Sequence, residues 1–511
     1  MPRRLAALLN ALLVNAWIGL DAAAQPAAFA VQTIPIEGRV VAAEIADFDG
    51  DARAELLAIV SRGVGPDESR ELQIRAIDAA GRVAEKPGWS APVPAGAAGY
   101  DVADVDGRPG LELLFLEREG VAVLSRAGGE ASWRHLPVPT PPTVAERAAE
   151  RGLARMRLAR PELGAGRLLV PGLGDAWVLD ARGDLVAHLA VGGRANYLVP
   201  TRPGPEIGES ELELYFDVPE LQIGDIDGDG RSDIVASTRH VLRIFRQRED
   251  GSFPTDPDRE LPFRLMSPDD QVRNSGSVRS ELADLDRDGR ADLLVSQTSG
   301  GLLRAKNRTR IHLNRGGTFD LAHPDREYVR EGGVAADELI DLDGDGRPDW
   351  LRVFAPFGLL EIAQLFLQRS IDLEIALHRS DGKGGFEKDP WLTRSINFAF
   401  DFETLRPRGF AGSLLEDWNR DGHRDWLSSA GGSAVEVWLG GPTYRFASAQ
   451  SRDPLDSSGR VATGDLDGDG LPDFVVYDPR RADVPLRIGR NLGNLPGSPA
   501  TMSARKPEPA K

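Results

Sequence analysis

The 511-residue sequence predicts an all-β chain, a β-propeller of four-stranded antiparallel blades closed by its N-terminal strand. Three observations lead there. An acidic phrase recurs, as "DIDGDGRSDI" from Asp225, "DLDGDGRPDW" from Asp341 and "DLDGDGLPDF" from Asp465. Its copies are regularly spaced: the first acids, Asp47, Asp104, Asp225, Asp284, Asp341, Asp417 and Asp465, stand 57, 121, 59, 57, 76 and 48 residues apart. Each copy is flanked by short apolar runs of strand length rather than by a helical period. A period of about 60 residues belongs to propellers, solenoids or arrays.

The chain opens with "MPRR" ahead of the apolar run "LAALLNALLVNAWIGL", which gives way to the small residues of "DAAAQ". This pattern is a secretory signal over residues 1–24, cleaved near Ala24. The run contains Asn10 and Asn15 and falls short of the ~20 apolar residues of a spanning helix. No later segment is long and apolar enough to span. The expected product is exported, periplasmic or extracellular. Cysteine is absent, so disulfides, thiol chemistry and a lipid-modified cysteine are excluded.

Residues 25–495 are expected to form the propeller, and 496–511 a disordered C-terminal tail. "FAVQTIPIEG" (Phe29 to Gly38) precedes the first innermost strand as a blade's outermost strand would, while the last unit ends after "LRIGRNLG", one strand short. The N-terminal strand is therefore expected to complete the C-terminal blade. The 121-residue gap hides a worn copy, "ELGAGRLLVPGLGDAWVLD" (Glu162 to Asp180), which keeps its glycines and strands but has lost its acids. Eight blades result; seven, with the worn copy as an insertion, is the alternative.

Within each unit the cluster leads into a strand such as "DIVAS", "DLLVS", "DWLRV", "DWLSS" or "DFVVY". A second strand and turn follow, as in "RIHLNRGGTF", and a third runs toward the next cluster. With the apolar stretch before each cluster this makes four strands, and arranging blades around an axis leaves no long exposed sheet edge. Two insertions depart from the repeat. "TVAERAAERGLARMRLAR" (Thr143 to Arg160) reads as a basic helix with Thr143 and Glu146 as a capping box. "FGLLEIAQLFLQRS" (Phe357 to Ser370) reads as a helix apolar over more than one face. Both are either rim helices or partner-docking surfaces.

The formal charge of −18 becomes −19 without residues 1–24. That balance argues against nucleic acid or an anionic membrane as partner, and it suits cations where carboxylates are gathered. Counting the first aspartate of a cluster as one, acids or amides fall at one, three, five and nine, with glycine usually at six. Hard cations such as Ca²⁺ take six to eight oxygens, alternate residues of a tight loop turn toward one centre, and glycine permits the bend. Position two is apolar throughout (Phe48, Ile226, Leu285, Leu342, Trp418, Leu466), as a residue pointing away from the ion would be.

Five loops are complete: Asp225, Asp227, Asp229 and Asp233; Asp284, Asp286, Asp288 and Asp292; Asp341, Asp343, Asp345 and Asp349; Asp417, Asn419, Asp421 and Asp425; Asp465, Asp467, Asp469 and Asp473. A sixth, Asp47, Asp49, Asp51 and Glu55, has Ala52 in place of glycine and a longer acid at nine, and is expected to be weaker. The seventh, Asp104, Asp106 and Glu112, carries Arg108 at position five and is expected to stay without metal. Five to six Ca²⁺ ions follow, offsetting much of the acidity. An EF-hand is excluded, because position twelve holds Ala236, Val295, Arg352, Ser428 or Val476 where a bidentate glutamate belongs, and strands flank the loop.

The spacing D-x-D-x-D-G-x-x-D before an apolar strand, repeated in an exported chain, resembles the FG-GAP/VCBS repeat group and is similar to the N-terminal propeller of integrin α chains. The resemblance covers nearly all of residues 29–495. It implies a calcium-binding propeller in adhesion, recognition or surface assembly, with a protein or glycan ligand at the cell surface or in the envelope. The Phe-Gly and Gly-Ala-Pro pairs of the integrin form are not regular here, and no module resembling an integrin leg follows, so an integrin-type ligand is not implied.

An enzyme is the competing class. The histidines, His135, His188, His240, His312, His323, His378 and His423, show no metal-ligand or triad spacing, and G-x-S-x-G, H-E-x-x-H and Walker loops are absent. Blades take up the chain, leaving no room for a separate catalytic domain. The expectation is a monomeric, non-catalytic recognition module. The alternatives are a lectin-like propeller, or a hydrolase or lyase with its site on the propeller face. Trp350, Trp418 and Trp426 fall at core or loop positions of the repeat, which favours packing over sugar binding.

Overall fold

The computed structural model describes residues 27–63, 67–78, 80–139, 153–198, 213–263, 265, 276–300, 305–402, 406–413, 416–429, 432–441, 451–456 and 459–498. The expected signal lies outside them. Strand order resolves into eight blades around an axis. Blade one joins Arg39–Ala46, Glu55–Arg62, Ser69–Arg75 and Trp89–Pro92, innermost strand first, all antiparallel. Blades two, four, five, six and seven repeat this meander from innermost strands at Gly99–Ala103, Glu220–Gly224, Ser277–Ala283, Gly333–Ile340 and Phe410–Ser413.

Blade eight closes the ring. Its strands Arg460–Gly464, Asp473–Tyr477 and Leu486–Asn491 accept Phe29–Ile34 as the fourth, antiparallel from Phe29 opposite Asn491 to Ile34 opposite Leu486. Phe29 packs edge-on against Phe474 and Trp418, with ring centroids 4.9 and 5.7 Å away. The chain ends of the propeller are thereby held in one sheet, as the missing strand required.

Blade three is the worn copy, and it settles the count at eight. Leu168–Pro171, Ala176–Leu179 and Leu185–Leu189 form three of its strands. Residues 158–160 supply the innermost edge: Ala159 bridges Leu168, and backbone bonds join Leu169 to Leu158 and Arg160 to Arg167. This corrects part of the expected basic helix. Ala154–Arg155 is extended and pairs in parallel with Gly99–Tyr100 of blade two. One carboxylate oxygen of Asp101 then accepts from the N–H groups of Leu158 (2.8 Å) and Ala159 (3.0 Å). The remainder of that insertion, with Thr143 and Glu146, lies outside the described residues. A hairpin of Arg194–Leu198 and Glu213–Asp217 leads on to blade four.

The one α-helix among the described residues is Leu359–Gln368, inside the second expected insertion and docked on strand Ser370–His378 of blade six. Arg369 ends it in the left-handed conformation, φ 53°. Phe366 stacks on Phe402 at 5.6 Å, yet Leu360, Phe366 and Leu367 remain 81, 66 and 84 % exposed. Among the described residues no helix is long and apolar enough to cross a membrane.

The hydrophobic core is a ring of clusters between blades, and position two of each acidic loop belongs to it. Phe48 packs with Tyr100 and Phe115 of blade two, Ile226 with Leu293 of blade five, Leu285 with Trp350 of blade six, Leu342 with Trp426 of blade seven, and Trp418 with Phe474 of blade eight. Leu466 completes the circle against Ala43 and Leu56 of blade one. Each loop is thus anchored by the blade that follows it. Burying a side chain of this size is worth about 1.5–3 kcal/mol, so loop conformation and blade packing are energetically linked.

Candidate metal sites

Every acidic loop joins the innermost strand of a blade to the next strand, so all of them lie at the same end of the propeller. The loop at 225 shows the wiring. The two oxygens of Asp225 accept from the N–H groups of Gly228 (2.7 Å) and Gly230 (2.8 Å), and Asp229 accepts from Arg231 (2.9 Å). These bonds pull the backbone into a tight turn around the carboxylates. The sharpest bends fall at positions four and six, where Gly228 and Gly230 take φ of 79° and 83°, a region costly for residues with a Cβ.

The same bonds recur elsewhere. Asp341 accepts from Gly344 (2.9 Å) and Gly346 (3.0 Å); Asp465 accepts from Gly468 and Gly470, both at 2.8 Å. Asp284 accepts from Gly289 (3.0 Å), and Asp417 from Gly422 (2.7 Å) and Asp421 (3.1 Å). In the first loop Asp47 accepts from Gly50 (2.7 Å) and from Ala52 (2.9 Å), which is forced to φ 67° where the five complete loops use glycine.

Carboxylate oxygens converge within 4.8 Å of one another in six groups among the described residues, including Asp47, Asp49 and Glu55; Asp225, Asp227 and Asp229; Asp284, Asp286 and Asp292; and Asp341, Asp343 and Asp345. The loop expected to stay without metal also gathers its acids, Asp104, Asp106 and Glu112. Its Arg108 stands 3.8 Å from Asp106 with a side chain 72 % exposed, so the arginine flanks the group without filling it. The donor set is all oxygen, the chemistry of a hard cation. Two of the oxygens have no partner of their own: Asp227 Oδ1 and Asp284 Oδ1 are buried and receive no hydrogen bond. An oxygen buried without a donor is costly, and a cation at the centre of the loop would satisfy it. The residues fit Ca²⁺.

Position nine does a second job that spacing does not reveal. Asp233 accepts from Ile226 at position two (2.9 Å) and from Gln247 at the far end of the third strand (2.9 Å). Asp292 repeats this with Leu285 (2.9 Å) and Asn314 (2.8 Å), Asp425 with Trp418 (2.7 Å) and Gly440 (2.6 Å), and Asp473 with Leu466 (2.8 Å) and Asn491 (2.6 Å). Asp349 accepts from Ser380 (3.0 Å). Burial pushes Asp233 and Asp349 up to about 6, and Asp292, Asp425, Asp473 and Glu55 up to about 7, with the neighbouring loop acids adding to the rise. The backbone donors oppose that rise without cancelling it. Nearby positive charge is what such carboxylates lack.

Asparagines unnoticed in the sequence bracket the loops from the neighbouring blade. Asn314 Nδ2 donates to the carbonyl of Ile226 (2.8 Å), and Asn491 Nδ2 to that of Trp418 (2.9 Å). Their common place, at or just past the end of the third strand, was the available signal. Pro496, first residue of the expected tail, accepts from Asn419 Nδ2 at 2.8 Å.

An FG-GAP-like repeat family matches the chain over residues 225–295, 284–351 and 417–476, each span opening on the first aspartate of a loop. The chain carries FG-GAP-like repeats. The FG-GAP-like spans cover blades whose loops are complete and pass over the worn copy. Two solved structures match the chain at low similarity. One is BBS1N in complex with ARL6DN, soaked with mercury, at 11 % identity and TM-score 0.35, covering 78 % of this chain and 94 % of that one. The other is the WD40 domain of Toxoplasma gondii coronin, at 10 % identity and TM-score 0.37, covering 90 % and 86 %. The curated proteins compared with the chain include no match.

The histidines take local roles. His312 and His378 are buried, each with Nδ1 on a backbone carbonyl, Asp320 at 2.8 Å and Glu387 at 2.9 Å, and burial lowers both pKa values. His188 pairs with Asp175 at 2.7 Å on blade three.

Proposed function

We propose that this chain is an exported calcium-binding propeller that serves as a non-catalytic recognition or surface-assembly module for a protein or glycan. The observation that carries the reading is the repetition of one all-oxygen loop at one end of the ring, with buried carboxylate oxygens left unpartnered in two of its copies. Calcium there acts structurally. It would be held by the acids at positions one, three, five and nine, and it would neutralise charge at points where each loop is pinned to the next blade. The exposed apolar residues Leu360, Phe366 and Leu367 support a binding role.

The test has two parts. Calorimetric titration of the purified chain with Ca²⁺ should show saturable uptake of five to six ions. A screen against glycans and envelope proteins, with and without Ca²⁺, should then return a ligand held only by the loaded form. Reproducible turnover of a polysaccharide or phosphoester by the purified chain would overturn the non-catalytic reading.

A further inference from the structure

Two acidic loops break the pattern at position four. In five loops this place is glycine at positive φ: Gly50, Gly107, Gly228, Gly344 and Gly468, between 71° and 81°. In the loops at 284 and 417 it is Arg287 and Arg420, at φ 64° and 57°, a conformation that residues with a Cβ rarely adopt. Both side chains leave their own loop and reach the next blade. Arg287 Nη2 donates to the backbone carbonyl of Asp345, and Arg420 Nη1 donates to that of Asp469 at 3.1 Å. The acceptor is position five of the receiving loop in both cases.

The peptide unit they seize is the one that holds the first ligand. On its other side, Gly346 N–H donates to Asp341 (3.0 Å) and Gly470 N–H to Asp465 (2.8 Å). The peptide that follows each arginine is tied to ligands of the arginine's own loop: Asp288 N–H donates to Asp286 (3.1 Å), and Asp421 N–H to Asp417 (3.1 Å) and Asn419 (3.2 Å). A Cβ at Gly346 would lie 2.7 Å from Arg287 Nη2, and one at Gly470 would collide with Arg420. Glycine at position six of the receiving loop therefore serves the arginine as well as the turn.

We propose that Arg287 and Arg420 are positioning residues that couple calcium loops in pairs, 284 with 341 and 417 with 465, so that filling one loop of a pair raises the affinity of the other. The proposal rests on the calcium reading above. A cation that fixes the 284 loop fixes the backbone of Arg287. The guanidinium then holds the 345–346 peptide in the orientation that presents Asp341. Coupling between sites is reciprocal by linkage, so the effect runs both ways.

The experiment uses the full chain and terbium as the calcium probe. Trp350 adjoins Asp349 of the 341 loop and packs with Leu285 of the 284 loop, so the part of the sensitised emission lost on Asp345→Asn is what reports the 341 loop. Its half-saturation is measured in the wild type, in Asp288→Asn, in Arg287→Gly and in the double variant. Arg287→Gly places at position four the residue that five other loops carry, at a φ that glycine adopts freely. Asp286→Asn replaces Asp288→Asn if the latter does not fold. The expected result is that Asp288→Asn raises the half-saturation of the 341 loop by about fivefold, the lower end of typical coupling, when Arg287 is present and leaves it unchanged in the Arg287→Gly background. An equal shift in both backgrounds, or none in either, overturns the coupling while leaving calcium binding intact. Absence of saturable terbium emission and calcium heat in the wild type overturns the calcium reading itself, and the coupling with it.

Discussion

Stripping calcium should lower the melting temperature by about 7 °C. Ligands held by the native state alone stabilise it by RT ln(1 + [L]/Kd), and extracellular calcium modules, the class proposed above, have Kd near ~10⁻⁴ M. At ~1 mM free calcium each filled loop then contributes about 1.4 kcal/mol, and the five complete loops together about 7 kcal/mol. Unfolding entropy near 2.1 cal/mol/K per residue, over the roughly 470 residues of the expected propeller 25–495, converts 1 kcal/mol into about 1 °C. The structure supports a shared effect: each loop is pinned to the following blade through position two, and buried Asp292, Asp425 and Asp473 sit beside like charges that an ion would offset. Scanning calorimetry in 1 mM calcium and in excess chelator measures the shift, and limited proteolysis follows the same opening. Identical melting and identical protease resistance in the two buffers would refute the reasoning, because the loops would then be polar turns that close without an ion.

The remaining predictions concern single positions. Ala52→Gly relieves a left-handed alanine at φ 67°, which costs about 1–2 kcal/mol, against about 0.4–1 kcal/mol of extra unfolded-chain freedom; a rise in stability of about 0.5–1 kcal/mol is expected by denaturant melting, and a loss would show the turn to be unstrained. Asp345→Asn should remove one site or much of its affinity in a calcium titration, whereas Arg108→Ala should leave the count unchanged, since Arg108 is mostly exposed. Glu281 is pushed up to about 7 by burial, with Glu338 and Asp337 adding to the rise. A carboxylate raised in the folded state contributes stability that is present below its unfolded pKa, ~4.3, and is lost as pH rises through about 7. With calcium held at saturation, Glu281→Gln should therefore flatten the decline in stability between pH 5 and pH 8; an unchanged slope would assign that decline to other groups.

The sequence by itself determined what is periodic and local. The loops follow from short-range demands: carboxylates at alternate residues, glycine where φ must be positive, an apolar residue at position two. The blades follow from the runs between the loops, and the closing strand from Phe29–Ile34 standing one strand ahead of the first blade while the last unit is one short. Even the worn copy kept enough strand pattern to be counted.

Tertiary structure alone decided the contacts that cross between repeats. Leu153 to Arg160 carries helix-forming residues, yet Asp101 offers a buried acceptor to Leu158 and Ala159, and the open inner edge of blade three needs a strand. Non-local hydrogen bonds outweigh local propensity there. The brackets of Asn314 and Asn491 and the reach of Arg287 and Arg420 join residues of different blades whose separation along the chain carries no pattern. Each depends on how closely one blade is set against the next. That distance is fixed by the packing of buried side chains such as Phe48, Leu285 and Trp418 across the blade boundaries, and it exists only once the ring has closed.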